Sequence, residues 1–394
     1  ARAMKKISHQ TEDLTRACDE TKVYPATGVQ IFWGTDIDDL KKSIGLYITQ
    51  TFLCERIYTE EEIQRRVSEI IRRHPAFRAE FFMDETGLHQ RIREDVPITV
   101  VSQDIREEIA EGTDLKEYLS AYAAGLMQDV IAAEEITRLH ISCIRVSERE
   151  SVFHILTNHA CADGASMCVI RQELADQKIS EDKDAYLAFM TYTSMPQNFA
   201  AAQQFWKTYL SGAEAAFLKQ KEDYDPAAAP DFMEFRGRTI RLSPDDTKKL
   251  EERLSEIGIS TAGFINYLYG KAILHILRSD SVIFQLLTFG RGVPVKGMDD
   301  TVGCLLQYIP VVIRADDTPA QFRDGYIEAD RYSFLPEPFI WNLAGYQEKP
   351  QLAPFLISEI FPKVSGAGHF EELNVPDYER MAVSNFIAKD ENGL

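Results

Sequence analysis

A short segment near the middle of the chain places a histidine and an aspartate between a predicted strand and a predicted helix. Residues 151–156 form an apolar run typical of a buried strand, and residues 165–174 have the pattern of a helix. Between them lies the run TNHACADG, residues 157–164, in which His159 is followed four residues later by Asp163 and then by Gly164. Such a loop can hold one imidazole in a cleft, where it exchanges a proton near neutral pH. The glycine allows a tight turn or the close approach of a ligand.

Length, composition and charge narrow the class of protein. The 394 residues are many for one hydrophobic core and favour about two domains or lobes. The net charge of −19 argues against a general nucleic-acid-binding protein, because phosphate binding needs basic patches. No window approaches about 18 consecutive apolar residues, and the first residues lack an apolar signal core. We therefore expect a cytoplasmic protein with neither nucleic-acid nor membrane partners.

The cysteines and histidines give little support for a metal site. None of the six cysteines has CxxC spacing, which favours buried, reduced thiols. Cys161 lies inside the loop, where a nucleophilic thiol is conceivable, but a filler at a variable position is the favoured interpretation. His154, His159 and Asp163 could be drawn as a metal site, yet no second cluster supports one. We expect no bound metal and interpret His154 as a core histidine.

Helix and strand patterns alternate along both halves without a short repeat, which is typical of an α/β or mixed α+β fold. Thr59 and Glu62 suggest a capping box before a helix that Pro75 ends. Alternation over 77–81 predicts a strand. In the second half we expect a helix that starts after Ser243 with Ile257 in its buried stripe, a deeply buried helix over 262–277, and strands over 282–288 and 302–313.

The run over residues 157–164 resembles the HHxxxDG signature of nonribosomal peptide synthetase condensation domains, which belong to the chloramphenicol-acetyltransferase-like acyltransferases. We call these eight residues the signature loop. His159, Asp163 and Gly164 match the second His, the Asp and the Gly of the signature. Asn158 stands where the family has its first His, which is a departure from the pattern.

Further blocks of the family follow in the same order, so the resemblance covers almost the whole chain. Residues 24–33 resemble the opening block, and residues 73–81 resemble the RHxxLRxxF block. Residues 186–192 and 205–210 look like the crossover between lobes. Residues 290–294 and 302–307 are similar to the GRxxP and VGxFxN blocks, with Gln307 where the family often has Asn.

The resemblance implies a mixed α/β fold of two chloramphenicol-acetyltransferase-like lobes, residues 1–192 and 193–394, set in a V with a central tunnel. It implies amide formation, in which an amine on one carrier protein attacks an acyl or peptidyl thioester on another. Both substrates would be carried on the 4′-phosphopantetheine of donor and acceptor peptidyl carrier proteins, and the monomeric domain itself would hold no cofactor. Residues 386–394 read as a strand entering a turn, so we expect the second lobe to be incomplete at its end.

The resemblance also implies roles for residues of the signature loop. His159 is the expected catalytic residue, either as general base or as the group that orients the amine; the sequence leaves both roles open. Asp163 is expected to be structural and to pair with Arg291, or failing that with Arg314. Asn158 is expected to support the loop through hydrogen bonds.

Three further residues are expected along the tunnel. Gly164 would leave room for the pantetheine arm, and Gln307 and Tyr308 would line the path of the substrates. Core packing is an equally open interpretation for Tyr308.

Two other functions stay open at this stage. One is a stand-alone N- or O-acyltransferase of the same fold that uses coenzyme A or a carrier. The other is a catalytically inactive, condensation-like recruiting module. Asn158 would fit the second, while the intact His159, Asp163 and Gly164 argue against it. The sequence does not name the donor or the acceptor.

Overall fold

The computed structural model describes residue 14 and residues 19–33, 37–42, 46–96, 99–175, 184–215, 242–346 and 355–356. The strand expected over 386–394 lies outside them.

Two β-sheets are formed by the strands up to the signature loop. In chain order these strands are β1 (Val23–Pro25), β2 (Tyr47–Cys54), β3 (Ala79–Asp84), β4 (Gly87–Ile92), β5 (Thr99–Asp104), β6 (His140–Arg145) and β7 (Ser151–Asn158). One sheet has the order β1-β4-β3 and is antiparallel. The other has the order β2-β7-β6-β5, in which β5 and β6 run parallel and the other pairs run antiparallel. The fully buried β7 therefore lies inside its sheet and delivers the signature loop at its end.

The helices of the same part of the chain are α1 (Gly28–Trp33), α2 (Ile37–Lys42), α3 (Glu60–Arg73), α4 (Arg106–Ala110), α5 (Leu115–Ala132) and α6 (Gly164–Leu174). Thr59 caps α3 by accepting a hydrogen bond from the backbone N of Glu62. The capping box predicted there is incomplete, because the Glu62 carboxylate accepts from Arg66 at 2.9 Å and from Arg56 at 2.5 Å. The strand expected from residue 77 begins later, because Pro75–Arg78 forms a short 3-10 helix.

A third sheet lies in the second half of the chain. The elements there are α7 (Tyr186–Thr193), α8 (Pro196–Tyr209), β8 (Glu214–Ala215), α9 (Pro244–Glu256), α10 (Thr261–Leu277), β9 (Ser281–Thr288), β10 (Gln307–Arg314), α11 (Pro319–Arg331), α12 (Glu337–Leu343) and β11 (Phe355–Leu356). Strand β9 pairs antiparallel with β10. It also pairs in parallel with β8, at Val282 and Ile283, and with β11, at Gln285 and Leu286. The mixed α/β class predicted from the sequence is confirmed.

Several predictions about this half were wrong in detail. The strand expected over 302–313 begins only at Gln307. The backbone amides of Leu305 and Leu306 donate to the carboxylate of Asp163 and not to a neighbouring strand. Helix α10 is not deeply buried: only one side packs on β9 and β10, while Leu268 is 48% and Ile276 67% exposed. Ile257, expected in a buried stripe, follows the last turn of α9 and is 47% exposed.

Buried apolar side chains form two main clusters. One fills the space between the β2-β7-β6-β5 sheet, α3 and α6, and includes Phe52, Ile63, Phe77, Ile155 and Ile170. The other packs β9 and β10 against α7, α8 and α12, and includes Tyr186, Trp206, Phe284, Ile309 and Trp341. Burial of such side chains is the main favourable contribution to folding. None of the helices within the described ranges is long and apolar enough to cross a membrane.

His74 joins three segments of the fold. It is fully buried after α3, its Nε2 lies 3.0 Å from Oε2 of Glu173 on α6, and its Nδ1 contacts the carboxylate of Asp184. The same Asp184 carboxylate accepts from the backbone N of Val302 at 3.1 Å. Burial alone would lower the pKa of His74, but the two carboxylates outweigh it and raise the pKa to about 9. A buried imidazolium therefore holds α3, α6 and the start of α7 together.

We predict that His74→Gln removes a pH-dependent part of the stability. The pKa of His74 is higher in the folded chain than in the unfolded chain, where it is about 6.5. Its contribution to the free energy of unfolding is therefore complete below about pH 6.5 and is lost as the pH rises through about 9. Urea unfolding should show up to about 3 kcal/mol of this dependence in the wild type and little in His74→Gln.

His275→Gln is the control for this measurement, because His275 is exposed on α10. It should follow the wild-type pH dependence. Equal slopes for the wild type and His74→Gln between about pH 6.5 and 9 would contradict the buried imidazolium.

Candidate active site

Asn158 shapes the beginning of the signature loop. It is fully buried at the end of β7, where its Nδ2 donates to Leu40 O at 2.6 Å and its Oδ1 accepts from Ala160 N at 2.9 Å. Its backbone N donates to Thr137 O at 2.8 Å, and its carbonyl accepts from Cys161 N at 2.9 Å. An amide side chain carries both a donor and an acceptor, so Asn158 satisfies two backbone groups that would otherwise be buried without partners.

Asp163 ends the loop and caps α6. Its Oδ1 accepts from Ser166 N at 2.9 Å and lies 2.7 Å from Ser166 Oγ. The carboxylate, which is fully buried, also forms a bidentate pair with Arg291, with Nη1–Oδ2 at 2.8 Å and Nη2–Oδ1 at 2.9 Å. The backbone N atoms of Leu305 and Leu306 donate to Oδ2 at 3.1 and 3.2 Å. The pairing with Arg291, the first choice from the sequence, is present, whereas Arg314 lies exposed at the end of β10.

Asp163 is ionised near neutral pH. Burial alone would raise its pKa, but the charge of Arg291 and the hydrogen bonds from Arg291 and Ser166 outweigh burial and hold the pKa below its ordinary value. A carboxylate that already accepts this many hydrogen bonds is poorly placed to take a proton from a substrate. The geometry therefore assigns Asp163 to holding the loop.

The same interactions bring two segments of the second half of the chain against the signature loop. Arg291 also donates to Phe289 O at 2.8 Å and to Thr301 O at 2.9 Å. Ser166 Oγ lies 3.0 Å from both the backbone N and the carbonyl O of Gly303. Residues 289–291 and 301–306, which we call the clasp segments, are thus fastened to the end of the loop and the first turn of α6.

Gly290 lets the clasp segments approach each other closely. Its φ is +63°, and a Cβ at this position would lie 1.7 Å from Leu305 O. No other residue fits without moving the backbone.

His159 is the accessible side chain of the loop. Among residues 158–163, all of which the structure describes, it is the only one that is not buried. Its backbone N donates to Leu46 O at 2.6 Å, and its Nδ1 lies 3.9 Å from Sγ of Cys304 in a clasp segment. A half-buried imidazole on a rigid loop suits proton transfer, because imidazole titrates near neutral pH.

Cys161 and His154, for which the sequence favoured structural interpretations, are both buried. Burial raises the pKa of Cys161 to about 12, so its thiol stays protonated and is a poor nucleophile. His154 is buried in β7 with its Nδ1 2.8 Å from Thr51 Oγ1, and burial lowers its pKa to about 4. His154 is therefore a neutral core histidine near neutral pH. Within the described ranges, no three His, Cys, Asp or Glu side chains are grouped so that they could hold a metal ion.

The residues expected along a tunnel lie around the same centre. Gly164 is the first residue of α6 and is half-buried. Gln307 is buried at the start of β10 opposite Thr288, and its Nε2 would lie 2.8 Å from a Cβ on Gly28. Tyr308 is half-buried and packs against the small cluster of Val29, Cys304 and Leu306. Their part in substrate binding stays a prediction.

Sequence reasoning missed the polar side chains that support the loop from α1. Gln30 Nε2 donates to Ala160 O at 2.6 Å, and its Oε1 accepts from Thr27 N at 2.7 Å. Thr27 Oγ1 donates to Cys304 O at 3.0 Å, which ties α1 to a clasp segment as well. The available signal was a glutamine within an otherwise apolar run, since a buried amide needs hydrogen-bond partners. Ser166 and Cys304 carried no such signal.

We predict that Asp163→Asn destabilises the chain by about 3–5 kcal/mol, because it leaves the Arg291 guanidinium buried without its counter-charge. Adding Arg291→Met removes that charge, so the double variant should lose less stability than the sum of the single variants. Urea unfolding of the four proteins measures this coupling. Additive losses, or a wild-type stability of Asp163→Asn, would contradict an energetically coupled pair.

The chain is similar to known proteins along most of its length. A sequence profile of the condensation domain matches residues 21–327. Bacitracin synthase 3 of Bacillus licheniformis is 24% identical over 388 residues, covering 92% of this chain and 6% of the synthase. Nonribosomal peptide synthetase easA of Emericella nidulans is 24% identical over 343 residues, covering 82% of this chain and 5% of that protein. The chain thus spans only a small part of the length of these curated relatives.

The fold is shared with solved condensation domains. The first condensation domain of the CDA synthetase superimposes with a TM-score of 0.63 at 10% identity, covering 95% of this chain and 90% of that chain. The profile match includes β7, the signature loop, Arg291 and the clasp segments. Since that match extends over well more than half of the residues, the chain belongs to the condensation-domain family.

Proposed function

We propose that this chain forms amide bonds by transferring an acyl or peptidyl group from a donor thioester to the amine of an acceptor. Each substrate would be carried on the 4′-phosphopantetheine of a peptidyl carrier protein. The observation that carries this proposal is the half-buried imidazole of His159 on the signature loop, where residues 157–158 and 160–163 are buried and Asn158 and Asp163 are hydrogen-bonded in place. Membership of a family whose curated relatives are peptide synthetases supports it.

The reaction needs one proton to be moved while two bonds change. The amine nitrogen attacks the thioester carbon, the new C–N bond forms, and the C–S bond breaks as the tetrahedral species collapses. In our proposal His159 takes the proton that the amine loses and passes it to the departing thiolate, which leaves as a free thiol. General base catalysis of this kind contributes roughly 10²–10⁴-fold. Holding the two tethered substrates in line contributes further by removing translational freedom.

The position of the loop supports a site between two halves of the chain. Asp163 follows β7, whereas its partner Arg291 follows β9, and the clasp segment of residues 301–306 leads into β10. We propose lobes of residues 1–192 and 193–394, with the two carrier-bound arms reaching His159 from opposite sides. The break between the end of α7 at Thr193 and the start of α8 at Pro196, close to the proposed boundary, supports this division.

We predict that the chain transfers an acyl mass from a loaded donor carrier protein to an amine-loaded acceptor carrier protein, as followed by intact-protein mass spectrometry. His159→Ala should slow the transfer by about 100-fold or more. His275→Ala, which changes an exposed histidine on α10, should leave the rate within about twofold of the wild type.

Other outcomes of this assay point to the two alternative functions. Turnover of free acyl-CoA without any carrier protein would identify a stand-alone acyltransferase. Carrier binding without transfer would identify a recruiting module. A full rate in folded His159→Ala would overturn the role of His159.

A second prediction concerns Asn158. Asn158→Ala leaves Leu40 O and Ala160 N buried without their partners, so we expect a loss of about 1–3 kcal/mol and a slower transfer. Asn158→His offers one ring acceptor and one ring donor, so we expect a rate within about threefold of the wild type. Urea unfolding and the mass assay measure both effects. A gain of tenfold or more in Asn158→His would mark Asn158 as a cause of reduced activity.

A further inference from the structure

Cys304 lies beside the imidazole that the proposed reaction uses. Its Sγ is 3.9 Å from Nδ1 of His159, which is within the range of hydrogen bonds that involve sulfur. Cys304 is fully buried, whereas His159 is half-buried. The thiol therefore contacts the inner edge of the ring, on the side of Nδ1.

The backbone around Cys304 is fastened on three sides. Its own carbonyl accepts from Thr27 Oγ1 at 3.0 Å. The preceding residue, Gly303, has its backbone N and O within hydrogen-bond distance of Ser166 Oγ. The following residue, Leu305, donates its backbone N–H to Asp163. The sulfur is thus held by the same groups that hold the end of the signature loop, so its position relative to His159 depends on rigid contacts.

The thiol is neutral near neutral pH. Burial raises the pKa of Cys304 well above its ordinary value, and the nearby Asp163 carboxylate adds to this, while Arg291 opposes it. A protonated thiol is a poor nucleophile, but its S–H is a weak hydrogen-bond donor and its sulfur is a weak acceptor. Its chemical use here is therefore to make a hydrogen bond with the ring.

We infer that Cys304 is a positioning residue whose sulfur accepts a hydrogen bond from Nδ1–H of His159 and thereby fixes the ring in the tautomer that takes a proton at Nε2. The inference rests on the proposed function, and it selects the general base over the orienting group. The proton of the attacking amine moves to Nε2, the ring becomes an imidazolium that still donates from Nδ1 to Sγ, and the departing thiolate then takes the Nε2 proton.

The test combines ring ¹⁵N NMR of the full chain with kinetics. The protein is labelled with ¹⁵N-histidine, and the His159 signals are identified by their loss in His159→Gln. In the wild type the neutral ring should carry its proton on Nδ1. In Cys304→Ala and Cys304→Val the population should move toward the form with the proton on Nε2. In the carrier assay kcat should fall about 3- to 10-fold in both variants, with KM for each carrier within about twofold of the wild type.

Two controls separate this effect from packing. Valine fills the space of the thiol without an acceptor, so a spectral change in Cys304→Ala alone would trace to a cavity and overturn the inference. Cys143→Ala removes another buried thiol, in β6, and should change neither the His159 signals nor kcat.

The outcomes for the inference and for the proposed function are distinct. Unchanged His159 signals in both Cys304 variants, or changed signals with an unchanged kcat, would overturn the inference. A wild-type chain that transfers no acyl group would end the proposed function, and the spectra would still decide whether Cys304 sets the tautomer.

Discussion

The buried pair of Asp163 and Arg291 is the interaction on which the geometry of the site depends. Removing two charges from water is costly, and a buried pair repays that cost only when its remaining hydrogen bonds are also made. Here the backbone amides of Ser166, Leu305 and Leu306 donate hydrogen bonds to the Asp163 carboxylate. The carbonyls of Phe289 and Thr301 accept hydrogen bonds from the Arg291 guanidinium. Because the two residues follow different sheets, satisfying the pair brings the ends of β7 and β9 together. The position of His159 follows from that meeting of the two ends.

Two further polar contacts act on the same place. Gln30 binds the carbonyl of Ala160 from α1, and the His74–Asp184 pair reaches the amide of Val302. Residues 302–306 are apolar enough to form a strand, yet four of their five amides donate to the side chains of Asp184, Ser166 and Asp163. The clasp segment of residues 301–306 is therefore irregular, because buried backbone donors need hydrogen-bond acceptors and here the acceptors lie on side chains.

Local chemistry made much of the fold predictable. The Ser243 cap and the helix after Gly164 each depend on residues close in sequence. The ordered blocks pointed to the family and to Arg291 as partner of Asp163. What could not be predicted depends on distant neighbours: Gln30 and Ala160 are 130 residues apart, and Cys304 and His159 are 145 apart. The exposure of Leu268 and Ile276 was missed for the same reason, because an apolar helix is buried only on the sides that other elements cover.

The surroundings of the signature loop fix the protonation states of Asp163, Cys161 and Cys304. Asp163 keeps its charge because Arg291 and its hydrogen bonds hold its pKa low, and Cys161 and Cys304 keep their protons because burial raises the pKa of each thiol. In the proposed reaction the proton is therefore moved by His159, the accessible group among them. In that proposal the pair of Asp163 and Arg291 keeps its charges and its hydrogen bonds while the proton moves. Charges that are already paired and hydrogen-bonded in the folded chain need no reorganisation when a proton moves nearby, and preorganisation of this kind favours proton transfer.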